Sequence, residues 1–282
     1  MRILVTGNRG FVGTETCKLL EDHGHEVVGF DIMDGYDIRD KYPSDCPFLG
    51  IDRILHLAAI ARFDEADNNP LLTHETNVLG TMNMVDVAKK YHIPLVYAST
   101  GSAYMPIKLD PPITEDFPTM GNSVYGCSKA LGEKYVQTHT PHIILRYAHL
   151  YGKEKRYHGL IGGFLNRIEH DLEPVLYGGK QSNDFCYIKD VAQANLLALE
   201  ASWDKWNQAY NIGTGEEITA EAAGELICEA AGYTGKVEIR PGRGVDAERF
   251  FYDITKAKTK LGYEPKYTFE QGLKDMFRKD TE

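Results

Sequence analysis

At 282 residues the chain is long enough for one large domain or two small ones, and 43% hydrophobic with 26% charged residues excludes the fibrous and disordered classes. A formal net charge of −10 argues against a nucleic-acid or anionic-membrane partner, while leaving phosphorylated small molecules open. No stretch approaches the ~20 apolar residues of a membrane span, and the strand-like start leaves no room for a signal peptide, so the expected location is cytoplasmic.

Arg2–Thr6 reads as an apolar strand and Phe11–His23 as a helix. Between them stands Gly7-Asn8-Arg9-Gly10-Phe11-Val12-Gly13. Gly7 permits a tight turn, Gly10 lets backbone approach a pyrophosphate, and Gly13 allows close helix packing. The anion then sits at a helix N-terminus, where free N–H groups and the dipole favour negative charge.

A second strand, Glu26–Phe30, ends at Asp31, 18 residues beyond Gly13. A carboxylate there accepts hydrogen bonds from adenosine ribose hydroxyls and repels a 2′-phosphate, which favours NAD. Arg9 dissents, because its guanidinium could pair with that phosphate, so NADP stays open. Downstream, Asp37 followed by Ile38 reads either as an adenine-edge contact or as a solvated turn.

Asp52–Leu57, Leu95–Ser99 and His142–Tyr147 continue the strands, with helices expected over His74–Tyr91 and Ser123–Thr138. Apolar runs without alternation, separated by amphipathic helices, imply a parallel sheet covered on both faces. The fold class is therefore α/β, a Rossmann-type doubly wound parallel sheet.

Leu95–Ser99 runs into the hydroxyl-rich Thr100-Gly101-Ser102-Ala103-Tyr104, at the sheet edge where α/β sites form. Next, Ser123-Val124-Tyr125-Gly126-Cys127-Ser128-Lys129 puts Tyr125 and Lys129 four apart, on one helix face. A phenol with a pKa near ~10 is a poor base at neutral pH, and a nearby ammonium is expected to lower it. The same ammonium can hold the nicotinamide ribose.

Beyond Tyr151 the pattern loosens. Helices are expected over Leu160–His170, Asp190–Ala201, Ala220–Ala231 and Phe269–Arg278, with strands at Val175–Tyr177, Phe185–Ile188 and Ala209–Ile212. These pieces fit a smaller, discontinuous C-terminal substrate-binding lobe, residues 153–184 and 213–282. The nucleotide-binding domain is residues 1–152, continued by 185–212.

Five scattered cysteines, Cys17, Cys46, Cys127, Cys186 and Cys228, show no C-x-x-C spacing. Neither a zinc site nor any other metal site is expected, nor a disulfide framework; Cys127 reads as a buried packing residue.

Over essentially its whole length the chain resembles the extended short-chain dehydrogenase/reductases of the NAD-dependent sugar epimerase/dehydratase family. The glycine motif, His56-Leu57-Ala58-Ala59, Thr76-Asn77-Val78-Leu79-Gly80-Thr81 and Tyr125–Lys129 carry the resemblance. It continues through Leu145–Gly152, Asp184–Val191, Tyr210–Gly215 and Asp253–Ala257.

The resemblance implies Thr100 as catalytic hydroxyl beside Tyr125 and Lys129, with Ser99 behind it near the nicotinamide. It implies Leu57, Ala58, Ala59, Ala61, Asn77 and Ala148 around the cofactor. Thr100, Gly101, Ser102, Tyr125, His149, Tyr177, Asn183 and Arg240 would face a nucleotide-sugar substrate. His149 replaces the family's usual asparagine, and Asn183 stands where an arginine normally precedes Asp184-Phe185. Arg240 and Arg243 either supply the missing positive charge or lie in a solvated loop.

The family's 4,6-dehydratases carry an Asp–Glu pair after the catalytic threonine, and its decarboxylases usually keep the glutamate. Gly101 and Ser102 cannot do that acid–base work. A 4-epimerase acting through a transient 4-keto sugar is the leading expectation. An NAD(P)H-dependent 4-keto-sugar reductase is the alternative, favoured by the short Asp31–Leu57 connection and by Arg9. A catalytically quiet nucleotide-binding relative is the third. A homodimer through the helices near His74–Tyr91 and Ser123–Thr138 is also implied, with Met82, Met84, Val85, Val87 and Ala88 as an apolar face that packing on the sheet explains equally well.

Overall fold

A computed structural model describes residues 1–40, 48–104, 110–139, 141–153, 159–242 and 248–278. In chain order the first half runs β1 (Arg2–Thr6), α1 (Phe11–Asp22), β2 (Glu26–Phe30), β3 (Arg53–His56), α2 (Phe63–Asn68), α3 (Pro70–His74) and α4 (Thr81–Tyr91). It continues with β4 (Leu95–Thr100), α5 (Val124–Val136), β5 (His142–Tyr147) and β6 (His149–Tyr151). The second half has α6 (Gly159–Glu169), β7 (Val175–Tyr177), β8 (Ser182–Asn183), β9 (Phe185–Tyr187), α7 (Ile188–Glu200) and β10 (Gln208–Ile212). Then come β11 (Ile218–Thr219), α8 (Ala220–Ala230), β12 (Glu238–Arg240) and α9 (Phe269–Phe277).

Six strands form one parallel sheet in the order β2-β1-β3-β4-β5-β10. Their apolar runs do not alternate because helices cover both faces: α1 packs with α7 on one side and α4 with α5 on the other. The chain leaves β1 toward β2 in one direction and builds β3, β4 and β5 in the other. That reversal opens a crevice at the carboxyl ends of β1 and β3, the place where open α/β sheets bind ligands.

On the α1/α7 face one apolar core runs without a break from Val5 and Leu145 into Phe164, Ile227, Leu273 and Met276. The C-terminal elements thus share a core with the sheet. Three small ladders organise them: β6 with β9 and β7 with β12 in parallel, and β8 with β11 antiparallel. Among the described residues, no helix is long and apolar enough to cross a membrane.

The expected single helix over His74–Tyr91 is built differently. Two short helices precede it, separated at Asn69-Pro70, where proline lacks an N–H and starts α3 at its first position. A π-helical stretch, Glu75–Gly80, then leads into α4. Met84, Val85, Val87 and Ala88 turn inward and are buried, and only Met82 of the five is half-exposed. Sheet packing therefore accounts for that apolar face. The exposed apolar side chains here are instead Leu71, Leu72, Leu79, Leu131 and Tyr135.

Candidate active site

The crevice begins at the glycine turn. Gly7 has a φ of +69°, and a Cβ on it would lie 2.9 Å from the Ala58 backbone. A Cβ on Gly13 would meet the Gly7 carbonyl oxygen at 2.1 Å, so α1 can approach the turn only without one. Gly10 caps α1 with no side-chain hydrogen bond, which leaves first-turn N–H groups for an external anion. The Asn8 amide lies over Gly29, and its Oδ1 is buried with no hydrogen-bond partner. Phe11 reaches across to Gly152, and Val12 packs into the core.

Asp31 ends β2 nearly buried, accepting from Met33 N at 3.0 Å and Arg9 N at 3.1 Å. Each oxygen accepts one of these bonds and retains further acceptor capacity. The Arg9 guanidinium does not wait beside them; it pairs two-pronged with Asp34. Asp37 is likewise held by Arg39, which pulls its carboxyl below the usual range, and Ile38 is buried against Gly80. The Asp37 carboxylate closes a local turn and keeps only its remaining lone pairs for an adenine edge.

A buried chain of hydrogen bonds ties this turn to α5. Thr81 donates its hydroxyl proton to Asn77 O (2.7 Å), so it accepts from His56 Nε2 at 3.0 Å. His56 Nδ1 then accepts from Thr6 Oγ1 at 2.7 Å, and Thr6 accepts from Ala58 N at 3.1 Å. Asn77 clamps Ile60 N and O (2.8 and 2.9 Å) and donates to Ser128 Oγ, which donates to the Tyr125 carbonyl. Leu57 and Ala58 lie beside Gly7, and the segment that continues through Ala59 and Ala61 is held at Ile60 by the Asn77 amide, which is spent on this clamp. Burial, helped by the Lys129 charge, pushes His56 down to about 3, so the ring is neutral.

Thr100 ends β4, and its Oγ1 accepts from Ser102 N at 3.2 Å. The Thr100 hydroxyl is also the influence that lowers the pKa of the Tyr125 phenol. Phe63 of α2 stands edge-on to the Tyr125 ring at 5.5 Å. The expected depression of Tyr125 by Lys129 is not what the protein alone shows: burial dominates and pushes the phenol up to about 12. Lys129 is nearly buried as well, with its ammonium 4.1 Å from the Tyr97 ring centroid and no hydrogen bond to another described residue. Burial brings it down to about 7, against the opposing pull of Glu133.

Beside Thr100, Ser99 turns the other way. Its hydroxyl donates to Glu133 Oε1 at 2.5 Å rather than into the crevice. Glu133 also holds Arg146 at 3.0 and 2.8 Å, and Arg146 donates onward to Tyr104 OH at 2.9 Å. Sequence reasoning missed this buried cluster, although Glu133 lies four residues beyond Lys129 on the same helix face.

A side chain at Gly101 would have to displace its neighbours. A Cβ there would sit 2.4 Å from Phe250 Cζ and 2.7 Å from Tyr252 OH. Phe250 also lies edge-on to His149 at 5.9 Å, and His149 pairs in register with Phe185. One aromatic group thus gathers Gly101, His149 and Phe185, and the run Phe250-Phe251-Tyr252 was its unread signal. Asn183 is next to Ser182, which is bonded to the Phe250 backbone. Tyr177 and Arg240 meet each other across the β7–β12 ladder, with Arg240 neutralised by Glu238. Ala148 is held by its N–H on Ile212 O.

Asp184, fully buried, accepts from Thr214 N and Oγ1 and from Gly215 N, which anchors this region although burial raises its pKa. Cys127 is exposed, not packed, because it lies on the outer side of α5 while Ser128 and Lys129 face inward. It lines a groove with Pro70, His74, Val124 and Leu131. Arg243 and Cys46 lie outside the described residues.

A family model described as the NAD dependent epimerase/dehydratase family matches residues 3–213. The chain is 32% identical over 297 residues to a putative UDP-glucose 4-epimerase of Methanocaldococcus jannaschii, spanning 96% of each protein. It superposes on a UDP-glucose 4-epimerase of Thermotoga maritima, solved with UDP-glucose, at a TM-score of 0.91 and 31% identity over 100% of both chains. A UDP-glucose 4-epimerase of Thermus thermophilus, solved with NAD, matches at a TM-score of 0.86 and 30% identity, again over 100% of both.

Proposed function

The chain belongs to the NAD-dependent epimerase/dehydratase family, and we propose that within it the protein is a nucleotide-sugar 4-epimerase. The observation that carries this reading is the closed space at Gly101 beside Thr100 and Tyr125. Phe250 and Tyr252 crowd the position of the dehydratase aspartate, and Ser102 supplies no carboxyl where the decarboxylase glutamate would stand. The relatives' names agree, since UDP-glucose 4-epimerases recur among them.

The residues fit a dinucleotide. The uncapped start of α1 takes the pyrophosphate, Asp31 the adenosine ribose, and the Lys129 ammonium the nicotinamide ribose hydroxyls. NAD supplies a reversible hydride acceptor when bound. Asp31, together with an Arg9 already committed to Asp34, favours NAD over NADP.

Tyr125 takes the proton of the sugar C4 hydroxyl as C4 is oxidised. It returns that proton to the 4-keto oxygen after the sugar has turned its other face. Thr100 holds the same oxygen by a hydrogen bond, and Lys129 stabilises the phenolate by its charge. Positive charge is needed there because burial alone leaves Tyr125 near 12. Phe63 stands against the Tyr125 ring, and Phe250 against His149.

The reductase alternative rests partly on Arg9, and the Asp34 pair removes that support. We further propose a homodimer formed through the exposed Leu79, Leu131 and Tyr135 and the groove around Cys127.

The test is to denature purified protein, assay released NAD, and offer UDP- and dTDP-sugars with and without NADH. Bound NAD with isomerised sugar supports the epimerase; stoichiometric NADH loss assigns a reductase, and nucleotide binding without turnover assigns a quiet relative. Tyr125→Phe should keep the fold and lose at least ~100-fold in kcat; full activity in that variant sinks the mechanism.

A further inference from the structure

A buried ammonium sheds its proton more readily unless a nearby anion holds it. Lys129 is 2% exposed, with its ammonium lying on the Tyr97 ring. Around it, β3 presents His56, which is neutral, and β4 presents the Tyr97 ring. Its own helix presents Tyr125 and, one turn onward, Glu133. From β5 comes Arg146, which holds both carboxylate oxygens of Glu133.

Glu133 is 0% exposed and is the anion that favours the charged form of Lys129. Three donors, Ser99 Oγ, Arg146 Nε and Arg146 Nη2, fix its carboxylate in place. A buried carboxylate so firmly tied down serves packing poorly, since an apolar pair of similar volume would fill the same space at less desolvation cost.

We propose that Glu133 is a positioning residue that keeps Lys129 charged at the catalytic tyrosine. The assignment rests on reading Thr100, Tyr125 and Lys129 as the reacting group. Arg146 and Ser99 serve it by holding the carboxylate in place. Without Glu133, Lys129 turns neutral at lower pH and the tyrosine loses the charge that makes it a base.

The test labels lysine with 13C at Cε, assigns Lys129 by the signal lost in Lys129→Met, and titrates it by NMR without cofactor. Glu133→Gln should lower the Lys129 midpoint by about one pH unit or more. Because that variant strands the Arg146 charge, the double variant Glu133→Gln/Arg146→Met is measured beside it and should show the same downward shift. Glu133→Asp, which keeps the charge, should restore most of the midpoint. An unchanged midpoint in the folded double variant overturns the proposal. In the active enzyme the alkaline limb of the kcat profile should fall by the same amount, whereas a merely structural role lowers kcat evenly at every pH. A midpoint that shifts in a protein that turns over no sugar keeps the hold of Glu133 on Lys129 and overturns the epimerase reading instead.

Discussion

Arg9 and Asp34 form a two-pronged ion pair, Nε to Oδ2 at 2.7 Å with Nη2 on the other oxygen, three residues beyond the Asp31 that the Arg9 backbone N–H contacts. The one cation near the ribose position is thereby neutralised among the described residues of that turn. Wild type should bind NAD more tightly than NADP. Asp31→Ser/Asp34→Ser, which frees Arg9 and removes the repelling carboxylate, should narrow the ratio of Kd values about tenfold. Calorimetric titration with each nucleotide checks this, and a ratio that stays put refutes the charge argument.

Gly101 predicts a steric limit. Gly101→Ala should cost ~1–3 kcal/mol by overpacking against Phe250 and Tyr252, seen as a melting temperature several degrees lower. Phe250→Ala in the same chain should recover part of that loss relative to Phe250→Ala alone. Gly101→Asp/Ser102→Glu should yield no 4-keto-6-deoxy product, and its appearance would show that acid residues fit after all.

His56 predicts an acid weakness. Its folded pKa, about 3, lies below the ~6.5 of an unfolded histidine, so its contribution is fully present above pH ~6.5. As pH falls from there toward 3, the unfolded chain takes up a proton that the folded ring refuses. Stability should drop by ~1.4 kcal/mol per pH unit from this group. His139 and His142, also lowered by burial, act in the same direction. Urea unfolding at neutral and mildly acid pH should show the decline, and His56→Gln should flatten it while lowering stability at neutral pH. An equal slope in both proteins contradicts the assignment.

Leu131→Asp or Leu79→Asp should give a monomer by size-exclusion chromatography with light scattering, because these side chains are 43% and 45% exposed on the outer faces. Met84→Ala, buried on the sheet, should lower the melting temperature without changing mass. A dimer unaffected by both surface charges places the interface elsewhere.

The elements of the sheet were legible because their signals are local. Glycine spacing after β1, unbroken apolar runs and caps such as Ser123 and Thr268 each act within a few residues. The α2–α3 break was missed because the mostly polar Phe63–Asn68 carries no helical stripe, and only Asn69-Pro70 marked it. Strands of two or three residues, such as β8 and β11, have no period to read.

Around the site, Tyr125, Lys129 and Thr100 follow from spacing and family resemblance, yet their electrostatics do not. Spacing placed an ammonium near a phenol, whereas burial raised one pKa and lowered the other. Ser99 and Thr100 are adjacent in sequence, but strand alternation sends their hydroxyls apart, one to Glu133 and one to the Ser102 N–H.

The sequence by itself determined the Rossmann-type sheet, the glycine turn and the tyrosine–lysine helix, because each is a short-range pattern of sterics and periodicity. Only the tertiary structure decided which charges are neutralised and which spaces are closed. Arg9 meets Asp34, Glu133 meets Arg146 and Phe250 fills the space at Gly101 through contacts from 13 to 149 residues apart. Desolvation and excluded volume depend on what the folded chain brings together, and no local spacing encodes that.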